Sequence, residues 1–289
     1  MSTQSSTHVG ANQPGGSLRI GGDLVVHRLG FGAMRLCGPG VWGESADPAA
    51  ARRVLRRAIE LGITLIDTAD AYGPEVNERF IAETLHPYPD GLVIATKGGL
   101  TRPRRDAWNS DARPERLRAA CEGSLKRLKL DRIDLYQLHA PDPRVPLEDS
   151  IGMLARLQGE GKIRHIGLSN VNVEELRRAQ RVVPIASVQN RYNFSDRASD
   201  AVLRECEHGG LIFLPWYPLA AGADATGGGA LADMARRHGT TPAQVAIAWL
   251  LARSPVIAPI PGTSSIGHLE ENVAATQLEL SEEDLQALS

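Results

Sequence analysis

Aromatic residues make up only 4% of the 289-residue chain, cysteine occurs three times, and neither sign of charge prevails. Each scarcity excludes something. Cys37, Cys121 and Cys206 are odd in number, far apart and without metal-ligand spacing, so neither a disulfide framework nor a metal site is expected. Reduced thiols in a cytoplasmic protein are the simplest reading. The 32 basic and 34 acidic residues are interspersed and leave a formal charge of −2. That balance offers no field to attract nucleic acid or an anionic membrane surface. No apolar run approaches the ~20 residues a membrane span requires. Residues 1–16, MSTQSSTHVGANQPGG, hold no Lys or Arg and lack the basic start and apolar core of a signal peptide. They read as a disordered tail, and the remainder, 17–289, as one domain.

What is present is ordinary globular material, 42% hydrophobic and 23% charged, arranged in one repeating rhythm. "LRIGGDLVVHRLGFG" opens it as two short strands around a Gly-Gly-Asp turn, a hairpin. Eight short apolar runs follow: Leu29–Ala33, Ile63–Asp67, Leu92–Lys97, Ile133–His139, Ile163–Ser169, Ile185–Gln189, Leu211–Trp216 and Val256–Ile260. Segments of helical period separate them, near Pro48–Leu61, Glu75–Leu85, Pro114–Leu128, Leu147–Gly159, Val173–Arg181, Ser199–His208 and Pro242–Arg253. Asp47-Pro48 and Thr241-Pro242 place a capping side chain before a proline at the first helical position, and Gln244 completes a capping box with Thr241. Strands alternating with helices imply a parallel sheet, and strands buried on both faces read as near-continuous apolar runs. Eight such units predict closure into a (β/α)8 TIM barrel with an N-terminal β-hairpin. The long irregular stretches 98–113 and 219–229 each follow a strand and would lie at the C-terminal mouth.

Polar residues end several of these strands. Side chains alternate faces along a strand, so Ile63, Leu65 and Asp67 share one parity, as do Val93, Ala95 and Lys97, and Leu135, Gln137 and His139. An Asp, a Lys and a His thus converge on the barrel mouth, and Tyr72 can join them from the loop after the second strand. Taken singly, each has a bland alternative: a turn cap, a snorkelling lysine, a satisfied core histidine, a packed tyrosine. Together they form a proton-relay set. A phenol ionises near pH ~10, and a neighbouring ammonium favours the phenolate. A carboxylate would hold that ammonium, and an imidazole can bond a carbonyl oxygen as charge develops on it. This suits carbonyl reduction. "GFG" at 30–32 lacks the third glycine of a dinucleotide fingerprint. "TRPRRDAW", 101–108, reads either as a solvated loop or as a lid in which Trp108 and Arg102 or Arg104 meet substrate or cofactor phosphate.

From about residue 18 onward the chain resembles the aldo-keto reductase superfamily, with similarity to bacterial pyridoxal-reductase-type members. "LGFGAMRL", "IDTADAYG", "ATKGG", "IDLYQLHAPDP", "GKIRHIGLSN", "VQNRYN", "PIPGTSS" and "HLEENV" occur in the family's order and spacing. The resemblance implies a catalytic tetrad of Asp67, Tyr72, Lys97 and His139, with Tyr72 the general acid, and a nicotinamide dinucleotide lying across the mouth. Ser169, Asn170 and Gln189 match positions that hold the carboxamide, and Trp216 the aromatic on which the ring stacks. Pro261, Gly262, Thr263, Ser264 and Ser265 match the phosphate clamp. Glu271 and Asn272 match adenine contacts. Many relatives have Lys where Gly262 stands and Arg where His268 stands. With His268 and the hydroxyls remaining, NADP(H) is expected and NAD(H) is possible. Met34, Trp42 and Trp108 are expected to wall the substrate pocket, with aryl aldehydes or pyridoxal as candidates. A monomer acting on a small carbonyl compound is expected. A cofactor-sensing binding module with little turnover and a Schiff-base aldolase using Lys97 are the competing classes.

Overall fold

The computed structural model describes residues 15–220 and 229–288. Residues 1–14 of the expected tail and most of the 219–229 stretch lie outside the described residues. The hairpin forms as expected: β1 (Ser17–Ile20) and β2 (Leu24–His27) pair antiparallel. Gly21 and Gly22 both take positive φ in its turn, a conformation that costs glycine nothing. Ile20 and Val26 are fully buried and pack with the barrel-interior residues Leu65, Val93 and Leu135. Asp23 in the turn bonds Arg164 and His165. The hairpin therefore plugs the floor of the barrel and leaves the opposite end as the mouth.

Seven parallel strands follow: β3 (Phe31–Gly32), β4 (Leu65–Asp67), β5 (Val93–Gly98), β8 (Ile133–Leu138), β9 (Ile163–Ser169), β10 (Ser187–Gln189) and β11 (Ile212–Phe213). A two-residue ladder, β6 (Leu100–Thr101) with β7 (Asn109–Ser110), sits in the loop after β5. The eighth expected strand, Val256–Ile260, is present as a seam rather than as a strand. Phe213 N–H donates to Val256 O and Ala258 N–H to Phe213 O on one side. Gly30 N–H donates to Pro259 O and Gly32 N–H to Pro261 O on the other. Pro259 and Pro261 have no N–H to give, so toward β3 they only accept and no regular ladder forms there. The sheet is closed by it all the same, giving the (β/α)8 barrel.

Helices α1 (Pro48–Glu60), α2 (Val76–Leu85), α3 (Pro114–Leu128), α4 (Leu147–Gly159), α5 (Val173–Gln180), α6 (Asp200–Gly209) and α8 (Pro242–Arg253) match the seven expected. Their caps are those legible in sequence: Asp47 Oδ1 accepts from Ala50 N–H at 2.8 Å, and Thr241 and Gln244 form the box. α7 (Ala230–His238) has no counterpart among the expected helices; it buries only Leu231, Met234 and Ala235, a narrow stripe. α9 (Ile266–Ala274) and α10 (Glu282–Ala287) follow the closing seam. No helix among the described residues is long and apolar enough to cross a membrane.

Candidate active site

Asp67 ends β4, Lys97 lies one residue before the end of β5, and His139 follows β8. Parallel pairing in register, Asp67 with Ala95 and Lys97 with Gln137, brings these ends together. Lys97 is completely buried, and Asp67, Tyr72 and His139 nearly so. The ammonium has three protons and three acceptors: Asp67 Oδ2 at 2.7 Å, Thr68 O at 2.9 Å and the Tyr72 hydroxyl at 3.4 Å. A buried cation is tolerable only when paired and bonded in this way. The Tyr72 and His139 rings meet edge to face, centroids 5.8 Å apart.

Burial would lower the Lys97 pKa, but the charges and hydrogen bonds of Asp67 and Tyr72 outweigh it and hold it above the ordinary lysine value. For Tyr72 the balance differs from the sequence expectation. Burial raises the phenol and Lys97 pulls it down, and burial prevails. Tyr72 is accordingly a protonated acid across the neutral range, with a cation placed to stabilise the phenolate once the proton leaves. Burial, reinforced by the Lys97 charge, keeps His139 well below its usual value and therefore neutral. Its Nδ1 is buried with no hydrogen-bond partner among the described residues.

Two glutamines complete the set. Gln137 and Gln189 donate to Asp67 Oδ1 at 3.2 and 2.8 Å, leaving Oδ2 for Lys97. Gln137 carried the right strand parity, yet sequence reasoning gave it no role. It fits because Gly167 faces it: a Cβ there would meet Gln137 Cγ at 2.9 Å and Ser187 Oγ at 2.4 Å. Gln189, expected to hold a carboxamide, also turns its N–H toward Gln137 Oε1, so its amide nitrogen is engaged by the protein. Asp70 is buried, with Oδ1 unpartnered among the described residues and Arg116 at 3.8 Å. Burial pushes its carboxyl up to about 7, with the Glu78 charge adding to the rise.

The expected cofactor residues form two groups at neighbouring strand ends. In the first, Ser169 and Gln189 are buried while Asn170, at φ +58°, donates to His139 O and Ser169 Oγ. Trp216 donates its indole N–H to Asn170 Oδ1 at 3.0 Å, which fixes the ring edge. In the second group the backbones of Gly32 and Gly262 pass so closely that a Cβ on Gly262 would lie 2.5 Å from Gly32 O. The relatives' lysine therefore has no room here, and Arg35 Cγ lies 3.4 Å from that same point. Arg35 is exposed and forms no ion pair among the described residues. Thr263 Oγ1 accepts from Ser265 N–H, and Ser265 caps α9 through His268 N–H. Pro261 is buried, and Ser264, His268 and Glu271 are exposed; Asn272 is buried on α9.

Of the expected pocket residues, Trp108 is brought to the tetrad: its ring lies 6.3 Å from Tyr72 and 6.5 Å from His139, both edge to face. Trp42 is half-buried and bridges to Gly73. Met34 is half-buried in the 3-10 turn Ala33–Leu36 after β3. Arg102 is buried, with its guanidinium against the face of Trp108.

The sequence profile of the aldo/keto reductase family matches residues 28–289. Pyridoxine 4-dehydrogenase of Escherichia coli (strain K12) is 44% identical over 274 residues, 92% of this chain and 95% of the relative. An uncharacterized oxidoreductase of Schizosaccharomyces pombe is 47% identical over 97% of this chain and 91% of its own. Among solved structures, the glycerol dehydrogenase of Gluconobacter oxydans superposes with a TM-score of 0.86 at 26% identity, covering 94% of this chain and 93% of that one. An aldo-keto reductase of Klebsiella pneumoniae in complex with NADPH gives 0.80 at 28%, with coverage of 94% and 93%.

Proposed function

The chain belongs to the aldo/keto reductase family, and on that footing we propose that it reduces an aldehyde or ketone with NADP(H) as the preferred cofactor, the proton coming from Tyr72. The observation that carries the reading is the complete use of the buried Lys97 ammonium by Asp67, Thr68 and Tyr72, beside a neutral His139. When bound, the cofactor supplies the hydride that reduces the carbonyl carbon. Tyr72 gives its proton to the developing alkoxide, and Lys97 stabilises the resulting phenolate. Neutral His139 orients the carbonyl oxygen. Asp67, pinned by two glutamines, holds Lys97 in register.

A nicotinamide dinucleotide fits the residues at hand. Gly32 and Gly262 bring two backbones close together with only Arg35 beside them, the start of α9 directs N–H groups toward an anion, and Arg35 is our candidate for the cation missing at Gly262. Trp216, held at its edge by Asn170, is suited to stacking. For substrate we propose aryl aldehydes, pyridoxal among them. The name of the Escherichia coli relative, pyridoxine 4-dehydrogenase, describes the same alcohol–aldehyde couple read in the oxidative direction. The proposal includes a single barrel domain over 17–289, acting in the cytoplasm as a monomer.

Tyr72→Phe tests the reading. It removes the proton but not the ring, so NADPH-dependent turnover of 4-nitrobenzaldehyde and pyridoxal is expected to fall by about a thousandfold or more, the range of a lost general acid. Binding of NADPH, and weaker binding of NADH, followed by tryptophan fluorescence, should persist in the variant. Wild-type protein that binds cofactor tightly yet turns over no member of a carbonyl panel would instead support the sensing module.

A further inference from the structure

Arg102 alone among the described arginines is buried, and no described carboxylate lies within ion-pair distance of it. Its guanidinium donates to backbone carbonyls instead: Nε to Ala107 O at 3.1 Å, Nη1 to Val41 O at 3.2 Å, Nη2 to Gly40 O at 3.0 Å and to Arg105 O. Four of its five N–H groups are engaged, so the fork is not free to clamp an anionic substrate.

The carbonyls it joins belong to two different loops. Ala107 and Arg105 lie in the tip of the β6–β7 hairpin; Gly40 and Val41 lie in the loop after β3. Val41 takes φ +56°, a left-handed conformation that a β-branched residue rarely adopts and that surrounding contacts must impose. Its carbonyl also accepts from Gly73 N–H at 3.2 Å, and Gly43 N–H donates back to Gly73 O at 2.9 Å. Gly73 adjoins the proton donor Tyr72. Both loops and the Tyr72 turn thus meet at one carbonyl. The guanidinium carbon stands 3.7 Å from the centroid of Trp108 and 5.5 Å from that of Trp42, a geometry favourable for cation–π attraction. Trp108 in turn abuts Tyr72 and His139 and remains 41% exposed.

We infer that Arg102 is a positioning residue that fixes Trp108 and Trp42 as an aromatic wall beside the reacting carbonyl, and that this wall selects flat, uncharged aromatic aldehydes over small aliphatic ones. The inference rests on the carbonyl-reductase reading above. A rigid indole held against the acid offers its open surface to a ring without paying for its own ordering, whereas a small aliphatic aldehyde makes little use of it.

Steady-state kinetics with NADPH decide the matter, using 4-nitrobenzaldehyde and propanal on wild type, Arg102→Met, Arg102→Lys and Trp108→Leu. Both arginine variants are expected to raise KM for 4-nitrobenzaldehyde about tenfold, equivalent to about 1.4 kcal/mol. Values of kcat, the propanal parameters and NADPH affinity should stay within about twofold. Lysine keeps the charge but not the fork, so it should not rescue. Trp108→Leu leaves the arginine network intact and should reproduce the selective KM increase; it carries the test if an Arg102 variant fails to fold. Equal losses on both aldehydes, a wild-type Arg102→Lys, or a Trp108→Leu without selectivity each overturn the inference. Wild-type protein inert toward both aldehydes overturns the reductase reading as well.

Discussion

Gln137 shows how much of the candidate site lies outside the residues proposed to do the chemistry. Its amide occupies one oxygen of Asp67 and so leaves the other for Lys97. Gln137→Leu keeps the approximate volume and removes the donor. We expect kcat to fall by about tenfold or more, the worth of one hydrogen bond to a charged group, with cofactor affinity unchanged in a fluorescence titration. Asp70, three residues from Asp67, makes a second case. Its carboxyl sits at about 7 in the folded protein against ~3.9 in an unfolded chain. The folded state therefore disfavours the ionised form, and the penalty grows as pH rises from about 4 to about 7 and is constant beyond. Asp70→Asn should gain stability relative to wild type over that window, read as a difference in Tm between pH 4 and pH 8. An advantage independent of pH would contradict the assignment.

At the level of elements, the helices were the legible part because their signals are local. Caps, prolines at first positions and apolar spacing all lie within a few residues of one another. Thr241→Ala removes the box that opens α8 and should cost about 1 kcal/mol, measurable as a shift in urea midpoint without a change in slope. The strands were legible in position but not in extent. Leu29 and Ile63 are buried yet lie outside the ladders, because burial follows hydrophobicity whereas a ladder requires a partner. The β6–β7 ladder escaped notice for the opposite reason: it is two residues long, flanked by Pro103 and a run of charges, and has no periodicity to read.

For the molecule as a whole the decisive feature is closure. Arg28, just after the floor hairpin, donates to Leu251 O and Ser254 O at 2.8 Å and to Ile257 O at 3.2 Å. One side chain near the start of the barrel thereby satisfies carbonyls at the end of α8 and in the proline-rich seam. Burial lowers its pKa, but three acceptors hold it. Arg28→Met should leave those carbonyls without a partner and destabilise the protein by about 3 kcal/mol, within the range for unmet buried groups, seen as a lower Tm and a lower denaturant midpoint.

The repeating rhythm of apolar runs and helical segments was enough to specify a parallel barrel, and strand parity was enough to send Asp67, Lys97 and His139 toward one mouth. Both are properties of neighbours in sequence, and periodicity carries them. The tertiary structure decided what depends on distant neighbours. Gln137 and Gln189 meet at Asp67 across the sheet, a Val41 carbonyl joins two loops through Arg102, and Gly32 and Gly262 close the room for a lysine. It also set the balance at Tyr72, where burial outweighs the pull of Lys97. Desolvation and packing depend on everything that surrounds a group, and no stretch of sequence around Tyr72 contains that information.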